Sequence, residues 1–261
     1  MTVPGKDRGG HNGRAKVRTR ERMILTAERL FAERGIDGVS LREIGVAAGQ
    51  RNNSAAQYHF GSRYGLVRAI LEFRMAQVDE RRLALLAQFD AAGRSGDLRA
   101  LVEAYVTPLA EMVGSDDGTS WYARFLAQLL ARADPAVLNP EQYVSRGFTI
   151  VLTRLGEHLE ALPPVLRSQR VMLAGILTVH ALANHEFLLA TGTTDVPTPL
   201  LAADLADTVV AVLTAPVSPA TRNEVRGTSS SQAHQAPLSA LQRVDQPWPP
   251  PVGRGGEVRG A

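Results

Sequence analysis

The sequence contains no cysteine, which excludes disulfide bonds, a thiolate nucleophile and any zinc site that uses a thiolate ligand. It also lacks a long apolar run, because the longest strongly apolar segment, residues 171–183, is interrupted by His180. That segment is shorter than the roughly 20 residues that a transmembrane helix needs. The first 22 residues are polar and basic, so no signal peptide is expected. These absences predict a soluble protein of a reducing compartment.

The sequence fingerprints of common enzyme classes are missing as well. There is no P-loop, no dinucleotide fingerprint, no G-x-S-x-G and no H-E-x-x-H. His180 and His185 are five positions apart, about 140° around a helix, so they do not share a face. His158 has no ligand partner near it in the sequence. We therefore expect no metal, no cofactor and no enzyme activity, and we assign each histidine to the core or to an interface.

Charge is distributed unevenly along the chain. Residues 1–75 contain 14 Lys and Arg against 7 Asp and Glu, whereas residues 76–261 contain 15 against 19. A basic N-terminal part on an acidic body indicates binding to a polyanion. The alternative, a basic disordered tail, covers only residues 6–18, and the excess of positive charge continues beyond them.

Helical periodicity begins near Thr19, where Met23, Ala27, Leu30 and Phe31 fall on one face. Gly35 is expected to end this first helix. The spacing of Ser40 and Glu43 is typical of a capping box, which predicts a second short helix from about Leu41 that ends at Gly49. A minimal core is expected from apolar residues of these first helices: Leu30, Phe31, Val39, Leu41, Ile44 and Phe60.

A polar turn follows, and after it the sequence predicts a third short helix near residues 54–60. Gly61 is expected to end this helix, and Ser62 is expected to cap a long helix that continues to about Asp90. Two short helices at a tight turn, with hydrogen-bonding side chains on the second, are the usual way of presenting such groups to base edges.

The rest of the sequence predicts helices and two disordered ends. Periodic segments fall at 97–113, 120–133, 141–161, 164–191 and 199–214, with Pro108 as an expected kink inside the first of them. The Pro-, Gly- and Ser-rich residues 216–261 are expected to be disordered, and a Pro-rich ligand for a partner domain is the alternative. The predicted organisation is all-α: a disordered basic arm (1–17), a helix-turn-helix domain (18–62), a helical regulatory and dimerisation domain (63–215) and a disordered tail (216–261).

Residues 18–75 resemble the DNA-binding domain of the TetR family of bacterial transcriptional regulators. The matching features are ILTAERLFAERGIDGVSLREI, then an Ala-Gly turn, then YHFGSR and an apolar helix. The resemblance implies a homodimeric helix-turn-helix protein of the bacterial cytoplasm and nucleoid. It also implies a repressor that leaves its palindromic DNA operator when a small molecule enters the C-terminal domain.

The sequence departs from the family pattern between Gly49 and Phe60, where the spacing is one residue longer than in typical members. The aromatic residue that commonly precedes the phenylalanine by three positions is replaced by Gln57, and Tyr58 follows. The extra residue falls in the turn, so we expect the recognition helix to start later or to be rotated.

The DNA-binding candidates belong to two classes. Arginine pairs bidentately with guanine, and asparagine or glutamine with adenine, whereas contacts to phosphates position the protein. The candidates for base edges are Arg51, Asn52, Asn53 and Gln57, and those for phosphates are Arg42, Ser54, Tyr58, His59 and Arg63. Arg63 stands where the family usually has a phosphate-binding lysine near a helix start, where the helix dipole also favours an anion. Arm residues Arg14, Lys16, Arg18 and Arg20 are expected to reach a minor groove.

The body is expected to supply a dimer interface and an effector pocket. The helix at about 164–191 is apolar nearly all round, so one side is expected to pack on a partner subunit together with Leu201, Leu205, Val209 and Val212 of the helix at about 199–214. The alternative is a buried core helix of a monomer. A pocket for a small apolar effector is expected among the helices, and its candidate lining is Tyr105, Met112, Trp121, Phe125, Gln128, Phe148 and His180. These residues also fit an ordinary core.

Two further functions remain open at the level of sequence. One is a DNA-binding regulator or architectural protein without an effector, and the other is an all-α enzyme or binding module. The N-terminal motif and the distribution of charge argue against the second. The size of the body argues against the first, because more than a hundred helical residues exceed what dimerisation requires.

Overall fold

The computed structural model describes residues 9–52, 54–113, 120–132 and 145–229, and for residues 9–16 and 228–229 the backbone only. All regular structure in these ranges is helical, so the predicted all-α class is confirmed. The helices in chain order are α1 (Gly9–Arg34), α2 (Leu41–Ala47), α3 (Ala55–Phe60), α4 (Arg63–Ala91), α5 (Leu98–Val113), α6 (Tyr122–Arg132), α7 (Arg146–His158), α8 (Pro164–Ala190), α9 (Thr198–Thr214) and α10 (Pro219–Ser229).

The first helices begin and end where the local sequence specifies it. Gly35, at a positive φ of 75°, donates its amide to the Phe31 carbonyl at 2.9 Å and ends α1. The capping box starts α2, since the Ser40 hydroxyl accepts from the Glu43 amide at 3.2 Å and the Glu43 carboxylate accepts from the Ser40 amide at 2.8 Å. The predicted face of α1 is buried in the core.

Helix α4 connects the N-terminal helices to the body. The Ser62 hydroxyl accepts from the Gly65 amide at 2.9 Å and caps its start, as predicted. Leu66 is fully buried, and Arg74 forms a buried bidentate ion pair with Glu28 of α1 at 2.6 and 2.8 Å. These contacts fix the direction in which the chain leaves α3.

The body consists of α5 to α9, one helix for each of the five segments predicted from periodicity. Residues 133 and 141–144 of those segments lie outside the described residues. Helix α6 packs chiefly on α8 and α1, and α5 packs on α9 and α4. One cluster of buried apolar side chains runs from Ile24 in α1 to Leu213 in α9. The N-terminal helices and the body therefore share a continuous core across α1, α4 and α6.

Two helices of the body begin at a carboxylate from a distant part of the chain. Asp79 of α4 accepts from the amides of Gly147 and Phe148 at 3.2 Å and so caps α7. Glu186 of α8 accepts from the Arg124 amide at 3.0 Å and caps α6. Each contact satisfies amides that have no partner inside the helix, and it also ties two helices together.

The structure differs from the sequence predictions at both ends. Helix α1 begins at Gly9, so residues 9–17 of the predicted arm are helical, because extending an existing helix costs far less than starting one. Helix α10 lies inside the predicted disordered tail and starts where the Ser218 hydroxyl accepts from the Thr221 amide at 3.2 Å. Residues 1–8 and 230–261 lie outside the described residues.

Helix α8 is long and apolar enough to cross a membrane by length and composition. The prediction of no span considered only the uninterrupted apolar run, which is shorter than the whole helix. One third of the apolar window is buried in the fold, and the core helices of globular proteins pass the same test. The property is therefore weak evidence for a membrane span.

Candidate nucleic-acid interface

The candidate interface is formed by α2, α3 and the connection between them. Gly49, with a φ of 70°, donates its amide to the Val46 carbonyl, and the Gln50 amide donates to the Gly45 carbonyl, both at 2.9 Å. This pair of bonds is a Schellman motif, which ends α2 sharply and needs glycine at its left-handed position. Residues 48–54 then separate the two helices, a longer connection than the three to four residues usual for this motif.

Helix α3 presents one polar face because its opposite side is buried. Ala56 is fully buried in a small cluster with Met23 of α1 and Ala48. Gln57 is exposed, and the next residue, Tyr58, is 70% exposed. The predicted helix near residues 54–60 therefore exists, and its outer side bears hydrogen-bonding groups.

Asn52 acts within the turn itself. Its side-chain oxygen accepts from the Ser54 amide at 3.0 Å and from the Ser54 hydroxyl at 2.7 Å, which stabilises the entry into α3. An asparagine that pairs with adenine needs this oxygen as an acceptor. The geometry therefore favours a structural role for Asn52. The hydroxyl hydrogen of Ser54 is already used in the bond to Asn52. Asn53 lies outside the described residues.

Three candidate side chains are exposed on this surface with hydrogen-bonding capacity to spare. Gln57 donates one N–H to the Gly61 carbonyl, which leaves its second N–H and its oxygen for a base edge. Arg42 and Arg51 are exposed and form no ion pair with any described residue. Among the predicted base contacts, Arg51 and Gln57 thus have the freest geometry.

His59 is half-buried beside Phe60, with ring centroids 6.1 Å apart.

Arg63 is placed at the first residue of α4, as the phosphate prediction requires, but it is not a free cation. Its guanidinium lies 2.9 Å from the Asp37 carboxylate, in the loop between α1 and α2. The second oxygen of Asp37 pairs with Arg132, the last residue of α6. A phosphate that approaches Arg63 must therefore compete with Asp37, a residue that the sequence analysis missed.

The described basic residues of the predicted arm belong to α1. Arg18 and Arg20 are exposed, and the Arg20 guanidinium lies 5.5 Å from the centroid of the Phe60 ring, at the end of α3. This cation–π contact holds α1 against α3. A minor-groove role for Arg20 in an extended arm conflicts with this placement. Arg14 and Lys16 lie in the same helix, and their side chains are outside the described part of the chain.

The capping box also has an electrostatic role at the interface. The pKa of Glu43 is lowered from 4.5 to about 2. The larger cause is the hydrogen bond that its carboxylate accepts from the Ser40 amide, and the second is the Arg34 guanidinium at 2.8 Å. Glu43 is therefore ionised at neutral pH and joins the end of α1 to the start of α2. This contact fixes the angle at which α2 supports α3.

Comparison with known proteins bears on this arrangement. The family described as bacterial regulatory proteins, tetR family, has a model that matches residues 24–70. This stretch begins in α1, includes α2 and α3 and ends in α4. Residues 24–70 therefore form a TetR-family domain. DNA binding is implied by this match to the family.

Several solved structures resemble the chain at low sequence identity. A protein from Mesorhizobium loti described as a TetR-family transcriptional regulator is 18% identical with a TM-score of 0.45, over 76% of this chain and 96% of that one. An alanine-substituted HlyIIR mutant is 16% identical with a TM-score of 0.43, over 77% and 97%. A TetR-family regulator from Streptomyces coelicolor is 20% identical with a TM-score of 0.37, over 80% and 99%. The comparison with curated proteins found no match.

The body of the chain contains a cavity of about 360 Å³ among α5, α6, α7, α8 and α9. Tyr105 and Phe148, two of the predicted pocket residues, line it, with ring centroids 6.0 Å apart. Leu155, Val179 and Val209 are further members of the apolar wall. Burial raises the pKa of Tyr105, so its hydroxyl stays protonated and is a polar group of an otherwise apolar space.

The other five predicted pocket residues do not line this cavity. Phe125 stacks on Phe31 of α1 at 6.3 Å, and Met112 packs against the core. Trp121 lies under the Arg124 guanidinium, 3.9 Å from the ring centroid. Gln128 and His180 are exposed. Helical spacing alone cannot tell which apolar face meets a void, because that depends on how neighbouring helices pack.

The signal that could have indicated the cavity is Gly175 in the apolar helix α8. A Cβ atom at this position would lie 3.3 Å from the Tyr105 hydroxyl, so the absent side chain leaves room for that ring. A small residue inside an apolar helix is a local mark of close approach or empty space.

The histidines are dispersed. His185 is buried, its ring nitrogen lies 3.2 Å from the Thr198 hydroxyl, and burial lowers its pKa. His158 and His180 are exposed. Within the described residues, no group of three or more His, Asp or Glu could hold a metal ion.

Proposed function

We propose that the chain is a homodimeric transcriptional repressor that binds a palindromic operator through α3 and releases it when a small apolar effector enters the body. The observation that supports DNA binding most directly is the exposed polar face of α3 inside a matched TetR-family domain. The excess of positive charge in residues 1–75, on an otherwise acidic chain, also supports binding of DNA by the end of the molecule that contains α3.

Arg51 and Gln57 are the proposed base-reading residues. Both are exposed, and each offers two hydrogen-bonding groups, which bidentate pairing with guanine or adenine requires. Asn53 stays a candidate for base contact. Asn52 and Ser54 are proposed to shape the turn, with Ser54 also available to a phosphate through its hydroxyl oxygen.

Arg42, Arg63, Tyr58 and His59 are the proposed phosphate contacts. They surround α3 at the preceding helix, at the end of α3 and at the start of α4. Such contacts position the recognition helix and contribute equally to all DNA sequences.

A largely apolar stripe on α8, which contains no Asp, Glu, Lys or Arg, supports the homodimer. The stripe, here called the α8 stripe, consists of exposed residues at helical spacing: Val165, Gln169, Met172, Leu173, Ile176, His180, Asn184 and Phe187. Monomeric proteins rarely leave an apolar surface of this length uncovered. A twofold dimer also places two recognition helices one DNA turn apart, about 34–36 Å.

The α9 part of the predicted interface needs correction. Leu205 and Val209 are buried within their own protomer, and Leu201 and Val212 are half-buried, so these four residues belong mainly to the core. Helix α9 turns them inward because it packs on α5 and α8. The face of α9 that remains exposed at its start includes Leu200 instead.

The apolar cavity favours an effector-responsive regulator over one without an effector. A void of about 360 Å³ lies within the usual size range of ligand sites. Empty space of this kind costs packing stability, which a bound ligand would recover. Tyr105 and Phe148 are proposed to contact the effector.

The test of DNA binding is the operator affinity of Arg51→Ala and Gln57→Ala. Each substitution is expected to cost roughly 1–3 kcal/mol of specific binding, because a bidentate base contact is lost. Arg63→Ala is expected instead to weaken binding to all sequences alike and to make its salt dependence shallower. Arg81→Ala, an exposed arginine that pairs with Glu111 in the body, is the matched control. Unchanged specific affinity for both Arg51→Ala and Gln57→Ala would contradict the proposed base contacts.

A further inference from the structure

The cavity in the body opens toward the α8 stripe. Met172 and Ile176 line the cavity together with Tyr105 and Phe148, yet they are 49% and 40% exposed. A side chain that lines a cavity and also faces solvent stands at its rim. The rim of the cavity is therefore part of the surface that the proposed function assigns to the dimer.

An open rim limits what a single protomer can bind. Small-molecule sites generally bury 70–90% or more of their ligand. An apolar ligand in this cavity would leave the side next to Met172 and Ile176 in contact with water, and it would lose part of its hydrophobic stabilisation. The site of one protomer is incomplete on that side.

A second copy of the chain fits as the cover of the α8 stripe. The stripe contains no Asp, Glu, Lys or Arg, so two copies can pack around a twofold axis without opposing like charges. Helix α8 has 27 residues and is about 40 Å long at 1.5 Å per residue. A surface of that length and about two helices wide covers about 800 Å², which is what each partner contributes to a standard stable interface.

We propose that the partner subunit forms the missing wall of the effector cavity, so that a neutral, largely apolar ligand with one hydrogen-bonding group binds the dimer and not the monomer. The Tyr105 hydroxyl is the partner for that group. The inference rests on the proposed homodimer and adds that effector binding and dimerisation are thermodynamically linked.

The test uses the full-length protein and the neutral fluorophore N-phenyl-1-naphthylamine as an apolar probe. Leu173→Glu introduces a charge into the α8 stripe at a residue that does not line the cavity. Leu25→Glu, on α1, is the matched control, since Leu25 is 43% exposed and Leu173 44%. Sedimentation velocity gives the oligomeric state, circular dichroism the helical content, and fluorescence titration the probe affinity.

The expected result is a folded, monomeric Leu173→Glu variant that binds the probe at least about tenfold more weakly than the wild type. The Leu25→Glu variant is expected to remain dimeric with wild-type affinity. Gly175→Leu, whose side chain would enter the cavity beside Tyr105, is expected to abolish probe binding in a protein that still dimerises. This last variant separates binding in the cavity from adsorption to an exposed apolar surface.

Linkage provides a second test on the unaltered protein. If each of two sites binds the probe tenfold more tightly in the dimer, saturating probe must lower the dimer dissociation constant about 100-fold. Monomers that bind the probe as tightly as dimers, or a dissociation constant that the probe does not change, overturn the inference and leave the proposed repressor intact. A wild type that is monomeric at micromolar concentration overturns both.

Discussion

Asp37 is an exposed carboxylate between two arginines, and it links the candidate nucleic-acid interface to the body. It pairs with Arg63, the proposed phosphate contact, and with Arg132 at the end of α6. Helix α6 also contributes Leu130 to the cavity. At the scale of single residues, one acidic side chain thus joins the candidate nucleic-acid interface to a helix that also lines the cavity.

Asp37→Asn is expected to tighten DNA binding several-fold for specific and non-specific sequences alike. The substitution removes a negative charge next to a phosphate contact and frees Arg63, and the salt dependence should steepen by about one counterion. Stability should change by less than about 1 kcal/mol, because Asp37 is 68% exposed. Asp90→Asn, which removes a similar charge paired with Arg154 in the body, is the control. Weaker binding by Asp37→Asn would mean that Asp37 orients Arg63 for the phosphate.

Glu43 makes stability depend on pH in the acid range. Its pKa in the folded protein is about 2, against an ordinary value of 4.5, so the folded state favours the ionised form. The stabilisation is fully present above pH 4.5 and is lost as the pH falls toward 2. The gap in melting temperature between the wild type and Glu43→Gln should therefore narrow over this range. A constant gap from pH 7 to pH 2 would contradict the assigned role.

At the scale of secondary structure, the sequence determined those helix ends whose signals are local. Ser40 with Glu43, Gly35 and Ser62 lie within a few residues of the amides and carbonyls that they satisfy, and the predicted ends agree with the structure. The starts of α6 and α7 could not be predicted this way. Their caps, Glu186 and Asp79, lie 62 and 68 positions away along the chain.

The same distinction between local and distant contacts applies to the functional sites. The position of α3 and the exposure of Arg51 and Gln57 follow from short-range signals and were predicted. The pairing of Arg63 with Asp37, 26 positions away, was not. The apolar faces of α5 and α7 predicted Tyr105 and Phe148, whereas the rim at Met172 and Ile176 depends on which side of α8 its neighbours leave uncovered.

Glu186 illustrates how a helix start contributes to stability. The carboxylate is 3% exposed, caps α6 and forms an ion pair with Arg124 at 3.1 Å. Glu186→Ala should lower the free energy of unfolding by about 2–4 kcal/mol, because it leaves a mostly buried arginine and the first amides of α6 without partners. Urea denaturation measures the effect.

Glu186→Gln is the informative comparison, since its amide oxygen can still accept from the amides of α6 while the charge is removed. It should lose clearly less stability than Glu186→Ala. Equal losses for the two variants would assign the stabilisation to the charge alone and not to capping.

At the scale of the whole molecule, a basic N-terminal part and an acidic body are joined through one continuous core. In the proposed function, the positive charge directs the N-terminal end toward DNA, and the α8 stripe packs on a second copy of the chain. A dimer formed through α8 would hold two α3 helices at a fixed separation. Three features of the structure support the proposed repressor. They are the exposed helix α3, the α8 stripe and the cavity whose rim lies on that stripe.

The measurement that tests the central claim most directly is selection of the DNA sequences that the full-length protein binds from a random pool. A dimeric helix-turn-helix regulator should enrich an inverted repeat whose half-sites are centred about one helical turn, roughly 10 base pairs, apart or a multiple of that. Substitution of Arg51 or Gln57 should relax the preference at matching positions in both half-sites. Enrichment of a single unpaired site, or of no sequence at all, would contradict a homodimer that reads DNA through α3.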